Sequence, residues 1–143
     1  AYTFIVGNTT EENKQLLRET EAALYKGIEQ AVVGNRIGDI SHAIETHVTQ
    51  FGYGIVRKFV GHGVGKALHE DPEVPNFGRA GHGPRLVEGM TIAIEPMITM
   101  KGDGVRIMPD GWTTKTVTGA NAAHFEHTIA ITSNGPMILT KRK

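Results

Sequence analysis

Apolar positions along the chain follow two different rhythms. Between residues 16 and 32 they recur at helical spacing, as Leu16, Leu17, Ala23, Leu24, Ile28, Ala31 and Val32, which predicts an amphipathic helix. Thr9 to Glu12 reads as the capping box that opens it, and Gly34-Asn35 as the stop. A second helix is predicted behind Asp39 as its cap, with Ile40, Ala43, Ile44, His47, Val48 and Phe51 inward and Gly52 as terminator. Beyond it the rhythm shortens to strand-like runs at residues 53–60, 90–94, 105–108, 113–117, 125–132 and 137–140. Turn signals separate the later runs: Lys101-Gly102-Asp103-Gly104, Pro109-Asp110-Gly111 and Ser133-Asn134-Gly135-Pro136. Residues 73–86 are rich in Gly and Pro and read as a long loop. Residues 1–7 are strand material with no polar lead-in, so an unpaired apolar edge is expected there, and with it association with a complement or with a second copy.

Two helices followed by mainly antiparallel strands predict an α+β fold, with the helices packed on the sheet. At 143 residues the chain suits one domain with a substantial core. Lys plus Arg and Asp plus Glu balance at 15 each, which gives no electrostatic case for nucleic acid or a membrane surface. Cysteine is absent, so disulfides and thiolate metal sites are excluded. No apolar run approaches the roughly 18 residues of a membrane span, and no signal-peptide pattern opens the chain, so a cytoplasmic location is expected.

The candidate chemistry lies where charge interrupts apolar runs. Glu95 stands in Thr91-Ile92-Ala93-Ile94-Glu95-Pro96-Met97, and Glu126 in His124-Phe125-Glu126-His127-Thr128-Ile129. A carboxylate among strand formers is costly unless it is paired or bound to a cation. Strand alternation sets Glu95 beside Ala93, opposite Ile92 and Ile94, and sets His124, Glu126 and Thr128 on one face with His127 pointing away. Between glycines lies His62, in Gly61-His62-Gly63-Val64-Gly65, with His69 seven residues on. Imidazole and carboxylates without sulfur suit a hard or borderline divalent ion such as Mn, Fe, Co or Zn. Plainer readings stand beside this one: an exposed His62, an ion pair from either glutamate to Arg106, His69 capping a turn, Trp112 as a core residue, and His42, His47, His82 and His127 as structural residues.

The residues also match a family. The whole chain resembles the catalytic region of type I methionine aminopeptidases, which share the pita-bread fold: helices on a curved, mainly antiparallel sheet. The resemblance rests on residues 61–72, Pro75-Asn76-Phe77-Gly78, Gly83-Pro84-Arg85-Leu86, Glu88-Gly89-Met90-Thr91, Ile94-Glu95-Pro96-Met97, Asp110-Gly111-Trp112-Thr113-Thr114-Lys115-Thr116 and Phe125-Glu126-His127-Thr128. It implies a metalloprotease that removes the initiator methionine from nascent peptides, possessing two divalent ions when complete. In that pattern His62, Glu95 and Glu126 are metal ligands, Glu126 bridges the ions and Glu95 is also the general base. His69 hydrogen-bonds the scissile carbonyl, while Trp112 and Leu68 line the methionine pocket.

The family's two aspartate ligands, carried on a hairpin in its first half, have no counterpart, because the aspartates here are Asp39, Asp71, Asp103 and Asp110. The resemblance therefore describes a single catalytic domain over residues 1–143 that is incomplete at its N-terminal side. It implies a complementary fragment with two aspartates as partner, contact with the ribosome through the nascent chain, and weak binding of one ion by this chain alone. The alternatives are an inactive fragment or binding module of the same fold, and an Xaa-Pro aminopeptidase or dipeptidase, whose relatives share the glycine-His segment and the Glu-Pro dipeptide.

Overall fold

The computed structural model describes residues 1–141. Two helices, α1 (Glu11–Glu29) and α2 (Ile37–Thr49), precede ten short strands: β1 (Gly54–Ile55), β2 (Gly61–Gly63), β3 (Glu70–Val74), β4 (Thr91–Ile94), β5 (Met97–Thr99), β6 (Val105–Ile107), β7 (Thr114–Thr116), β8 (Ala122–His124), β9 (His127–Thr132) and β10 (Gly135–Ile138). They form sheets ordered β10-β9-β4-β2-β3 and β1-β5-β8 and a hairpin β6-β7, with every pairing antiparallel. The α+β architecture expected from the sequence is present.

One core joins the layers. Leu16, Leu24 and Ile28 from α1 and Ile40, Ile44 and Val48 from α2 pack with Ile92, Ile94, Ile98, Ile129 and Ile131 from the sheets. Gly27 lets the helices approach, since a Cβ there would lie 2.9 Å from the Ile44 side chain.

Each helix begins away from its expected residue. In α1 the cap is Thr10, whose hydroxyl accepts from the Asn13 N–H at 3.3 Å, while Thr9 accepts from the Asn13 side chain at 2.8 Å. The helix ends at Glu29, so Ala31 and Val32 lie beyond it, although Ala31 is still buried. In α2 the cap is Arg36, and Asp39 sits inside the first turn. One Asp39 oxygen accepts from the Arg36 N–H at 2.7 Å and the other from the Gly81 N–H at 2.7 Å. The carboxylate thus satisfies a helix start and a distant loop together.

The strand pattern departs from expectation at both ends of the site. Residues 1–6 form no strand, because Thr3 makes the contacts a ladder would make: its hydroxyl donates to the His124 carbonyl and accepts from the His124 N–H, both at 2.9 Å. Tyr2 stacks edge-on against Phe125, while Phe4, Ile5 and Val6 are exposed. The run expected at residues 53–60 shortens to β1. Gly61-His62-Gly63, expected as a loop, is an inner strand between β3 and β4, and the loop expected from residue 73 begins after β3. Glycine is needed here for room: a Cβ on Gly61 would meet the Ala93 carbonyl oxygen at 2.2 Å, and one on Gly63 the Asp71 carbonyl oxygen at 2.2 Å.

Candidate metal centre

β4 and β9 belong to the large sheet, while β5 and β8 belong to the small one, so the chain changes sheet at Glu95-Pro96 and again at Phe125-Glu126. The two breaks coincide. Ile94 pairs with His127 on one side of them and Met97 with His124 on the other, which sets Glu95 opposite Glu126. Pro96 supplies no N–H, and at this point the side-chain amide of the buried Asn76 donates to the Glu95 carbonyl at 3.1 Å. His62 arrives from β2, where it pairs with Ala93. Three strands therefore deliver one imidazole and two carboxylates to one place.

The resulting donors are close. One ligand atom from each of His62, Glu95 and Glu126 lies within 4.8 Å of the others. His62 Nε2 is 3.4 Å from Glu95 Oε1, and both side chains are largely shielded, at 12% exposure each. His62 Nδ1 lies 2.9 Å from the Gly63 carbonyl oxygen and donates to it, which leaves Nε2 with a lone pair in the neutral ring. That lone pair faces a carboxylate oxygen, and a second carboxylate stands opposite the first. Such an arrangement is repulsive until a positive charge enters. In this structure Glu126 Oε2 takes its cation from the α-ammonium of Ala1, at 3.0 Å. The donor set fits a divalent ion on these grounds: the Nδ1 hydrogen bond orients the imidazole, and the donors are one nitrogen and two carboxylates whose ligand atoms converge.

The remaining candidates are distributed unevenly. His69 is exposed and its ring lies against that of His62, with centroids 4.1 Å apart, so it joins the centre from the solvent side. Leu68 is 72% exposed and Trp112 89% exposed. Trp112 sits in the β6-β7 turn, whose Asp110 accepts from the N–H groups of Trp112 and Thr113 and from the Thr113 hydroxyl. These three donors hold the Asp110 carboxyl below the usual aspartate range, the Thr113 hydroxyl contributing most. The ion pair from Arg106 to a glutamate is not formed among the described residues; Arg106 is exposed and lines a cavity of about 770 Å³ together with Val56, Phe59, Met97, Lys115 and His124.

His127 points away from the centre, as expected, and bonds Thr140 through Nδ1 at 2.9 Å. Burial and then the Ala1 ammonium lower its pKa. His47 pairs with Glu19 at 2.9 Å between the helices, and His42 and His82 are exposed. Sequence reasoning missed two residues. Asn76 appears there only within a motif, and nothing in its spacing signals the bond to Glu95. His124 was placed beside Glu126 by alternation, and its Nε2 also reaches Glu95 Oε2 at 3.1 Å, because β8 pairs with β5 immediately after Glu95.

The chain is similar to known proteins along its length. The sequence profile described as metallopeptidase family M24 matches residues 1–133. A methionine aminopeptidase from Clostridium acetobutylicum is 53% identical over 98% of this chain, which spans 56% of that relative's length. The crystal structure of a methionine aminopeptidase from Thermotoga maritima superposes with a TM-score of 0.96 at 50% identity, over 99% of this chain and 57% of that one. A prolidase from Pyrococcus furiosus is more distant, with a TM-score of 0.76 at 26% identity over 99% of this chain and 36% of that one. Among the described residues no helix is long and apolar enough to cross a membrane.

Proposed function

The chain belongs to metallopeptidase family M24, and we propose that it supplies the larger part of the active site of a methionine aminopeptidase, removing the initiator methionine from nascent peptides. The single observation that carries this reading is the convergence of His62, Glu95 and Glu126, which offer one ligand atom each within 4.8 Å of one another. His62, Glu95 and Glu126 would hold the metal, and Co, Mn, Fe and Zn all suit these donors. A bound divalent ion supplies Lewis acidity toward a carbonyl and lowers the pKa of water.

The chain's own groups then divide the work. Glu95 takes the proton of the attacking water and passes it to the departing amine. His69, on the exposed side of His62, donates to the oxygen of the scissile carbonyl as negative charge develops on it. Glu126 would be a further carboxylate ligand of the metal, shared between two ions in the complete site. The further donors come from outside these residues, in a segment with two aspartates, so the chain alone binds one ion weakly. Leu68 and Trp112, both exposed, become walls of the methionine pocket when the second segment covers them.

The specificity assignment follows the gradient of likeness, from 50% identity with the methionine aminopeptidase structure to 26% with the prolidase. It is tested by offering Met-Ala and Ala-Pro peptides, with Mn²⁺, to the chain combined with an N-terminal segment bearing two aspartates. Release of methionine, lost on Glu95→Gln, is expected. Preferential cleavage before proline, or peptide binding without hydrolysis, would contradict the assignment.

A further inference from the structure

Glu95 lies between two imidazoles, one on each carboxylate oxygen: His62 Nε2 at 3.4 Å from Oε1, and His124 Nε2 at 3.1 Å from Oε2. An ionised carboxylate only accepts hydrogen bonds, so the His124 contact is made by an Nε2–H. His62 has its proton committed on Nδ1, to the Gly63 carbonyl. The two rings thus present opposite tautomers to the same side chain. We infer that His124 is a positioning residue, which ties down Oε2 of Glu95 so that Oε1 is held toward His62 and the ion.

The backbone around His124 is built to deliver the ring. The residue closes β8, pairs with Met97 across the ladder, and has both its N–H and its carbonyl bonded to the Thr3 hydroxyl at 2.9 Å. Met97 lies two residues after Glu95, so the same short ladder fixes the ring and its target. His124 also forms part of the wall of the 770 Å³ cavity. Removing the ring frees the Glu95 carboxylate to rotate and opens it to that cavity. His124 is not itself a metal donor, because the convergent set is His62, Glu95 and Glu126. A hydrogen-bond partner of this kind raises metal affinity about 10- to 100-fold by orienting a ligand.

This inference rests on the reading of Glu95 as a metal ligand, and two measurements separate the claims. Co²⁺ titration of the intact chain, by calorimetry and by the visible absorption of the bound ion, compares the parent with His124→Gln and His124→Ala. His124→Gln, whose amide still donates, is expected to stay close to the parent, whereas His124→Ala weakens binding about 10- to 100-fold. Equal affinity in parent and His124→Ala, or equal losses in both variants, would overturn the inference. Nitrogen-15 NMR of the metal-free parent gives the second readout, with the ring protons expected on Nε2 of His124 and Nδ1 of His62. A His124 proton on Nδ1 overturns the positioning role even if Co²⁺ binds. A parent that binds no Co²⁺ with the expected tautomers instead removes the metal reading and leaves the hydrogen bond standing. Should His124→Ala not fold, His124→Gln and the NMR readout still decide.

Discussion

Glu95 and Glu126 face one another in register at the point where two antiparallel strands both leave one sheet for another. Like charges opposite each other across a ladder destabilise it by a few tenths of a kcal/mol or more. Here Glu95 accepts a hydrogen bond from His124 Nε2, and the Ala1 ammonium lies on Glu126. On the proposed reading, this repulsion is what a bound cation would relieve.

Glu126→Gln tests that reading. It removes the repulsion and the Ala1 pair together, terms of similar size, so the metal-free stability changes by no more than about 1 kcal/mol. With Mn²⁺ at about 100 times the parent's Kd, the parent gains about 2.7 kcal/mol by mass action, and the variant gains nothing at that concentration. Urea melts with and without Mn²⁺ provide the check.

Gly63→Ala tests the reading of the His62 strand as an inner strand under steric constraint. The added methyl would lie 2.2 Å from the Asp71 carbonyl oxygen, which belongs to backbone and cannot swing aside. A loss of about 3 kcal/mol is expected, with Mn²⁺ binding weakened because β2 carries His62. An exposed glycine in a loop would tolerate the change.

Asn76 donates to the Glu95 carbonyl while its own Oδ1, also buried, has no partner among the described residues. Asn76→Asp keeps the shape and puts a buried acceptor against that carbonyl, whereas Asn76→Ala removes the donor and the orphaned oxygen together. The aspartate variant is therefore expected to be the less stable of the two, by about 2 kcal/mol. Equal melts for the two variants would mean that the contact to Glu95 carries no weight.

How far these features were legible depends on whether neighbours in sequence decide them. The helices follow from the spacing of Leu16, Leu24, Ile28, Ile40, Ile44 and Val48, which are all buried. Their starts were misjudged because Asp39 is shared with the Gly81 loop, a contact no local pattern reports. Glu95 and Glu126 stood out as charges in apolar runs, and His62 by its glycines. That these glycines make an inner strand depends on how near the Ala93 and Asp71 backbones lie. Alternation along residues 124–128 set His124 on the face of Glu126; that its hydrogen-bond partner is Glu95 depends on the pairing of β8 with β5, which no local pattern reports. β5 and β8 were unread because each is a short strand set off from β4 or β9 only by the change of sheet at Glu95-Pro96 or Phe125-Glu126.

The turn holding Trp112 provides a pH prediction. The Asp110 carboxyl is held below its ordinary pKa by the Thr113 hydroxyl and the Trp112 and Thr113 N–H groups. Because the folded pKa is depressed, its contribution is present above the unfolded value of about 3.9 and is lost as pH falls through the folded value. Fluorescence anisotropy of Trp112, the one tryptophan, is expected to drop over that acid range, and Asp110→Asn to show the lower anisotropy at neutral pH as well. An unchanged profile in the variant would show that another contact holds the turn.

The most direct test of the metal centre is anomalous diffraction from crystals of the chain soaked in Mn²⁺. One peak is predicted within bonding distance of His62 Nε2 and of carboxylate oxygens of Glu95 and Glu126, and it should vanish in His62→Ala. A soaked crystal with no peak between these three side chains, or a peak that survives His62→Ala, would contradict the assignment.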